Sequence, residues 1–295
     1  MDLSIENIIA RNYYGEEGAI DVIRNAGFDA IDYDVCGLSP EGFEDLIVKR
    51  GVPYAKELRA CAKEKGTYFC QSHAVYDYRF GIRFDESERK FYEVVRSMEF
   101  CAALGAPVCV VHCLAHPDEK VMMEENFRFY SALLPYAEQY GIAIGVENLP
   151  GGPSGQRIDR ASRFNEMIDR LDSPYVKGCF DVGHANIAMH CPEEFIRDAG
   201  SRIFCLHTHD NDGVSDLHSV PSTHPNGNFS VNWDAVLAAL STAGYQGTLS
   251  LELVGWMNCF SAETLPEALR LAAAVGRSMI RKFEKMQANC TGGGR

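Results

Sequence analysis

Short apolar segments alternate with longer amphipathic segments along the whole chain, and this alternation constrains the fold more than any other feature of the sequence. The apolar segments cover residues 3–9, 30–35, 68–72, 107–111, 142–146, 176–180, 203–206 and 248–251. Each is followed by apolar residues at helical spacing, which predicts strand–helix units around a parallel sheet. The sequence therefore predicts an α/β fold, a single-domain (β/α)8 TIM barrel over residues 1–288 with a flexible tail at 289–295.

Charge and composition narrow the classes of partner. The chain has 41 acidic against 28 basic residues and a net charge of −13, which disfavours nucleic acid as a partner. No apolar stretch approaches the roughly 18 residues of a membrane span, so we expect no membrane partner. The 11 cysteines are odd in number and form no CxxC pair, which favours reduced thiols and a cytoplasmic location. The first nine residues lack the pattern of a signal peptide.

Residues that can bind metals recur at the ends of the predicted strands. They are His73, His112, Glu147, Asp181, His207 and Glu252. The carboxyl ends of parallel barrel strands meet at one rim, so we expect these side chains to converge there. Two glutamates, an aspartate and a histidine form an oxygen- and nitrogen-rich site, for which we expect Mn²⁺ first, with Mg²⁺, Co²⁺ or Zn²⁺ as alternatives.

The two glutamates suggest what such a site does. A divalent ion can hold two adjacent oxygens of a sugar and polarise its carbonyl, which makes the neighbouring C–H acidic. Glu147 and Glu252 follow strands five and eight and could face one another across the mouth of the barrel. Carboxylates with tuned pKa values could then remove and return the proton. Isomerisation, epimerisation and elimination are all open to this pair.

Four motifs resemble those of a known group of proteins. The segments VENL (146–149), FDVGH (180–184), LHTHDN (206–211) and LE (251–252) are similar to those of the xylose-isomerase-like barrel superfamily, the sugar phosphate isomerase/epimerase group. The resemblance covers nearly the whole chain. It implies a sugar isomerase or epimerase that binds a small carbohydrate and could form a homo-oligomer.

The resemblance also implies roles for single residues. The metal ligands would be Glu147, Asp181, His207 and Glu252, and the two glutamates would be catalytic. Substrate-binding residues would include His184 on the substrate hydroxyls, with His73, His112 and His209 around the pocket. The loop aromatics Tyr76, Tyr78 and Phe80, together with Trp256, could stack on a sugar or aglycone, although loop packing or a subunit contact is the other explanation for them.

The sequence departs from the pattern of ketose 3-epimerases in two places. Those enzymes usually carry a second glutamate after the strand-five ligand and an arginine in the strand-seven loop, where this chain has Pro153 and Gly213. The identity of the sugar is therefore not carried over. Elimination or hydration of a keto sugar or 3-keto-glycoside would use the same metal and carboxylates.

A different class of enzyme resembles the same sequence. His73, His112, Asp181, His184, Asp216 and His218, together with the glutamates and His207, are similar to the trinuclear zinc site of endonuclease IV type DNA-repair enzymes. The Asp216–His218 spacing is the notable part of this resemblance. The acidic net charge and the lack of Lys and Arg clusters in the loops argue against a DNA substrate.

Overall fold

A computed structural model describes residues 1–76, 81–188, 191–222 and 231–292. Its eight strands are β1 (Leu3–Glu6), β2 (Ala30–Asp34), β3 (Tyr68–His73), β4 (Val108–Val111), β5 (Ala143–Glu147), β6 (Val176–Asp181), β7 (Ile203–His207) and β8 (Leu249–Leu251). They form one sheet in the order β7-β6-β5-β4-β3-β2-β1-β8, with every strand pairing parallel. A bridge between Thr208 and Leu251 links the two ends, so the predicted barrel is confirmed.

Helices follow every strand and cover the outside of the barrel. They are α1 (Ile8–Ala26), α2 (Pro40–Phe43), α3 (Gly51–Glu64), α4 (Arg89–Leu104), α5 (Glu119–Tyr140), α6 (Ala161–Leu171), α7 (Val182–Ile187), α8 (Pro192–Ala199), α9 (Trp233–Thr242), α10 (Val254–Met257) and α11 (Leu265–Gly292). A π-helix (Glu44–Arg50) joins α2 to α3, and a 3₁₀ turn (Gly200–Arg202) follows α8. Among these described helices, none has both the length and the apolarity needed to cross a membrane.

The start of the chain differs from the prediction. The apolar run at residues 3–9 was expected to be one strand, but β1 ends at Glu6 and α1 begins at Ile8. The amide of Arg11 donates to the carbonyl of Asn7 at 2.8 Å, which opens the helix there. Gly15 has φ 71° and ψ −179°, so α1 contains a break that hid its first half from the periodicity of the sequence.

The end of the chain also differs in detail. The barrel was expected to end at residue 288, whereas its last helix, α11, continues to Gly292. Residues 289–292, which the sequence assigned to the tail, are therefore helical, and residues 293–295 lie outside the described part. The division of the chain into a barrel and a flexible tail stays a prediction.

The core has two layers with different chemistry. Between strands and helices it is apolar, with large side chains such as Phe28, Phe129 and Phe164 fully buried. A separate small cluster joins Val108, Val110, Ala143, Cys179 and Cys205. Successive strand residues alternate between faces, so Cys179 and Cys205 share a face with Asp181 and His207, one layer below them. The side chains at the strand ends thus lie directly above a closely packed layer in the barrel interior.

Candidate metal and substrate site

Four side chains converge at the carboxyl ends of the strands. Glu147, Asp181 and His207 are the last residues of β5, β6 and β7, and Glu252 directly follows β8. One ligand atom from each lies within 4.8 Å of the others. We call these four residues the strand-end cluster. Its side chains are 1%, 0%, 1% and 16% exposed, respectively, so the barrel holds them almost entirely away from water.

His207 lies at the centre of the strand-end cluster. Its Nδ1 is 2.9 Å from Glu147 Oε1 and 3.4 Å from Glu252 Oε2. Burial opposes a charged imidazole, but Glu252 and Glu147 raise the pKa of His207 well above its ordinary value. A proton on His207 therefore balances the carboxylates of the metal-free cluster.

The two glutamates have pKa values shifted in opposite directions. Burial favours the neutral form of Glu147, yet His112 and His207 hold its pKa well below the ordinary value. Burial raises the pKa of Glu252, and His207 and His218 only partly oppose that rise. One carboxyl is thus kept ionised while the other is driven towards the protonated state.

Hydrogen bonds between neighbouring strand ends fix Asp181. Its amide donates to Asn148 Oδ1 at 2.7 Å, and Asn148 Nδ2 donates to the Asp181 carbonyl at 2.8 Å. Asp181 Oδ1 accepts from the amide of His184 at 2.6 Å and so caps α7. Asp181 Oδ2 stays buried with no hydrogen-bond partner among the described residues.

The residues present fit a divalent cation. Asp181 Oδ2 and Glu252 Oε2 are buried oxygens without hydrogen bonds in the described part of the chain. Buried carboxylate oxygens without donors are costly unless a cation pairs with them. Three carboxylates and one imidazole suit Mn²⁺, Mg²⁺, Co²⁺ or Zn²⁺ better than metals that prefer sulfur.

A second group of side chains lies beside the first. His184, His209, Asp216 and His218 also bring one ligand atom each within 4.8 Å of the others, and we call them the loop cluster. Asp216 Oδ2 is 3.3 Å from His184 Nε2 and 3.2 Å from His218 Nε2. His209 Nε2 lies 3.2 Å from Asp181 Oδ1, so the two clusters adjoin.

Close approach of backbone and ring explains one glycine of the FDVGH motif. A Cβ atom at Gly183 would lie 2.0 Å from Cε1 of His209. Gly183 therefore gives His209 the space that it occupies beside Asp181, and the carbonyl of Gly183 accepts a hydrogen bond from Asn211 Nδ2 at 2.9 Å. The FDVGH motif thus contributes the Asp181 carboxylate to the strand-end cluster and, through Gly183, leaves space for His209 of the loop cluster.

His73 and His112 lie on the other side of Glu147. His112 Nε2 is 2.9 Å from Glu147 Oε2 and 3.1 Å from His73 Nε2. Burial lowers the pKa of His112 to about 4, whereas Glu147 overcomes burial and raises the pKa of His73 to about 9. The ring of Tyr76 stacks on His112 at 4.9 Å between centroids. The predicted neighbours His73, His112 and Tyr76 are therefore together at this wall.

Trp256 takes a different place from the other predicted substrate residues. It lies on α10, its amide donates to the His218 carbonyl at 3.2 Å, and its ring packs edge-on against Phe260 at 4.9 Å. These contacts connect it to the loop cluster through the backbone. Tyr78 and Phe80, also expected to stack on a ligand, lie outside the described residues.

Several buried polar residues at the site were missed by the sequence reasoning. Glu6 ends β1, accepts a hydrogen bond from the Leu253 amide at 2.8 Å, and has a pKa raised well above its ordinary value by burial and by Glu252. Its position at a strand end was hidden because β1 was expected to run to residue 9. Asp32 lies 3.5 Å from His207 Nε2, and nothing in the alternation of apolar residues had marked it.

A cavity of about 810 Å³ opens at the opposite end of the barrel. Tyr68, Phe204, Tyr245 and Thr248 are among the residues that line it, and none of them belongs to either cluster. Active sites of parallel barrels lie at the carboxyl ends of the strands. The cluster chemistry therefore locates the site better than cavity size does.

Comparison with known protein families gives one match over most of the chain. The family described as xylose isomerase-like TIM barrel matches residues 20–280. An uncharacterised protein of Methanocaldococcus jannaschii is 33% identical over 164 residues, which cover 53% of this chain and 54% of the relative. The chain spans about half the length of the curated relatives it matches.

Solved structures with the same fold are more distant in sequence. A D-tagatose 3-epimerase-like protein has a TM-score of 0.72 and 22% identity, covering 99% of this chain and 100% of its own. The IOLI protein, solved with a zinc atom bound, has a TM-score of 0.69 and 17% identity, covering 97% and 99%. At these sequence identities, the structural similarity shows the fold alone.

Proposed function

Because the chain belongs to the xylose isomerase-like TIM barrel family, we propose that it is a divalent-metal-dependent sugar isomerase or epimerase. Its substrate is a keto sugar, a cyclitol or a related carbohydrate. The observation that best supports this proposal is the pair Glu147 and Glu252, which share the strand-end cluster and have pKa values displaced in opposite directions. Carboxyl pairs separated in this way are a common basis for acid–base catalysis.

The strand-end cluster would hold the metal through Glu147, Asp181, His207 and Glu252. When bound, a divalent ion supplies a Lewis acid that holds adjacent sugar oxygens and polarises the carbonyl. Mn²⁺ is our first expectation on ligand chemistry, with Mg²⁺, Co²⁺ and Zn²⁺ as alternatives. The zinc bound in the IOLI protein is consistent with a divalent ion on this fold.

The two glutamates then divide the proton transfer. Glu147, kept ionised, accepts the proton from the carbon beside the substrate carbonyl. Glu252, inclined to hold a proton, delivers one to the opposite face of that carbon for epimerisation. For isomerisation it delivers the proton to the former carbonyl carbon, while the hydroxyl proton on the adjacent carbon passes to the former carbonyl oxygen. Positioned acids and bases of this kind contribute about 10²- to 10⁴-fold in rate.

The neighbouring histidines and Tyr76 would bind the substrate. His184 Nδ1 donates to the Asn148 carbonyl at 3.0 Å, which fixes the ring and directs Nε2 towards Asp216. A substrate hydroxyl could replace that contact. His73, His112 and Tyr76 form the wall on the other side of Glu147, where the partly exposed side chain of Tyr76 could stack on a sugar ring.

The test is a screen of keto sugars, inosose-like cyclitols and 3-keto-glycosides with Mn²⁺ in D₂O, followed by NMR. We expect deuterium at a carbon beside the carbonyl, and its loss in Glu147→Gln and Glu252→Gln. Glu267→Gln, an exposed carboxylate on α11, is the matched control. No metal binding, together with no exchange on any substrate, would overturn the proposal. A dehydrated or cleaved product would select elimination, which uses the same carboxylates.

The loop cluster favours a second candidate, a hydrolase with three metal ions of the endonuclease IV type. In the described part of the chain, the residues that could hold metal form four overlapping or adjoining groups. Besides the two clusters, these are His73, His112 and Glu147, and Glu147, Cys179 and His207. The net charge of −13 argues against a DNA substrate. Three zinc ions per chain together with cleavage of abasic DNA would select this candidate, and one ion per chain with no cleavage would reject it.

A further inference from the structure

A row of three side chains crosses the barrel interior behind the strand-end cluster. Gln71 on β3 donates from Nε2 to Asp32 Oδ2 on β2 at 2.7 Å. The same Asp32 oxygen is 3.5 Å from His207 Nε2 on β7. The three residues are 0%, 2% and 1% exposed, so the row is closed to bulk water.

Gln71 is itself fixed from a second side. Its Nε2 also donates to the Leu206 carbonyl at 3.2 Å, and Leu206 directly precedes His207 on β7. The amide therefore ties Asp32 to the strand that carries the histidine. Since an amide has two N–H donors, both contacts can form at once.

His207 presents different nitrogens to the two sides. Nδ1 faces Glu147 and Glu252 in the strand-end cluster, while Nε2 faces Asp32. Among the described residues, Nε2 makes no hydrogen bond and lies 3.5 Å from Asp32 Oδ2, and Asp32 Oδ1 also lacks a hydrogen bond. A buried ring N–H without a partner and a buried carboxylate with one unsatisfied oxygen gain by pairing with each other.

We infer that Asp32 is a positioning residue for His207, and that Gln71 positions Asp32. Asp32 accepts the proton of Nε2, which leaves the lone pair of Nδ1 directed at the metal position. A carboxylate behind a ligand histidine fixes the ring and its tautomer and makes the coordinating nitrogen more basic. This inference rests on the proposed function, because it takes His207 to be a metal ligand.

The experiment compares metal affinity in matched variants, using a chromophoric chelator as competitor and Zn²⁺ or Co²⁺ as the ion. We expect Asp32→Asn to weaken binding about 10- to 100-fold. Gln71→Met should weaken it less, by a few fold. Asp34→Asn is the control, because Asp34 lies on the same strand, is equally buried and has no described contact with His207. We expect it to change the affinity less than about threefold.

Two further readouts distinguish positioning from a general structural role. The double variant Asp32→Asn/Gln71→Met should bind metal as Asp32→Asn does, because Gln71 acts through Asp32. In the Zn²⁺ form, ¹⁵N-edited NMR should show His207 protonated at Nε2, with that resonance moved in Asp32→Asn and unmoved in Asp34→Asn. The Co²⁺ absorption bands should shift in the same pattern.

The possible failures are separable. If the wild-type protein binds no divalent metal, the proposed function fails. If the wild type binds metal but Asp32→Asn and Asp34→Asn change the affinity equally, or if the His207 resonance is the same in both, the positioning role fails and the metal site stands. Should Asp32→Asn not fold, Gln71→Met decides: unchanged affinity with an unchanged His207 resonance overturns the inference.

Discussion

The strand-end cluster and the loop cluster contain similar residues but are held in different ways. Glu147, Asp181 and His207 are the last residues of hydrogen-bonded strands and are at most 1% exposed. In the loop cluster, the side chain of Asp216 is 43% exposed and His218 has a positive φ of 45°. The sheet fixes the strand-end cluster before any ligand binds. The positions of Asp216 and His218 in the loop cluster depend instead on the conformation of the loop between β7 and α9.

The loop between β7 and α9 is held in place by hydrogen bonds of its own. The amides of Asp210 and Ser219 donate to each other's carbonyls at 2.8 and 3.0 Å, which closes the loop between them. Asp210 Oδ2 also accepts from Trp233 Nε1 at 2.7 Å and from the Ser222 amide at 2.9 Å. Asp216 and His218 are therefore positioned by Asp210 and α9, outside the barrel sheet. Rigid strands suit a metal, and an adjustable loop suits a substrate.

The largest expected difference between the clusters lies in metal affinity. Asp181→Asn and Asp216→Asn make the same chemical change, one in each cluster. Apparent metal-binding energies of about 10–16 kcal/mol shared by four ligands imply a loss of roughly 100- to 1,000-fold for Asp181→Asn. Asp216→Asn should change the affinity less than about threefold. Competition with a chelator measures both.

Metal analysis of the same two variants provides the control for this prediction. One ion per chain should remain in Asp216→Asn. An equal loss of affinity in both variants, or a fall from three ions to two in Asp216→Asn, would contradict the assignment of the metal to the strand-end cluster alone. It would favour the candidate with three ions.

A smaller effect should appear in the pH dependence of the metal-free protein. Burial opposes charge on His184, but Asp181 and Asp216 raise its pKa to about 10, and Glu252 and Asp216 raise that of His218 to about 10. A raised histidine pKa stabilises the fold fully below the unfolded value of about 6.5 and ceases to do so as the pH rises through about 10. Asp216→Asn should therefore lower stability most at about pH 6.

Urea unfolding of the wild type and Asp216→Asn at pH 6, 8 and 10 measures this effect. We expect the difference in unfolding free energy to shrink steadily with increasing pH. Glu263→Gln, an exposed carboxylate in the described part of the chain, is the control for a general charge effect. A difference that grows with pH would show that Asp216 does not support protonated histidines.

The two clusters also differ in how far sequence could predict them. The ends of β5, β6, β7 and β8 follow from the alternation of apolar residues, so all four members of the strand-end cluster could be expected to converge. Glu6 was missed because Ile8 and Ile9 extended the apparent strand beyond its end. Asp32 and Gln71 are polar residues inside a barrel, where partners come from distant strands and no local pattern reveals them.

For the loop cluster, sequence could supply candidates but not their arrangement. The Asp216–His218 spacing was visible, yet its approach to His184 depends on the closure at Asp210 and Ser219. The contacts within the strand-end cluster, by contrast, follow from the regular parallel pairing of the strands. The roles of all these residues in catalysis and binding stay predictions.

The smallest expected effect is on substrate binding by Tyr76, which lies with His73 and His112 in the wall on the side of Glu147 away from the loop cluster. The side chain of Tyr76 is 46% exposed, and its ring stacks on His112. If its ring packs on the substrate, Tyr76→Leu should raise KM about two- to tenfold, because an aromatic contact contributes about 0.5–1.5 kcal/mol. Tyr76→Phe keeps the ring and should keep KM, while kcat should change little in either variant. A fall in kcat with constant KM would instead mean that Tyr76 acts through His112 on Glu147, and this wall would then belong to the catalytic machinery rather than to substrate binding.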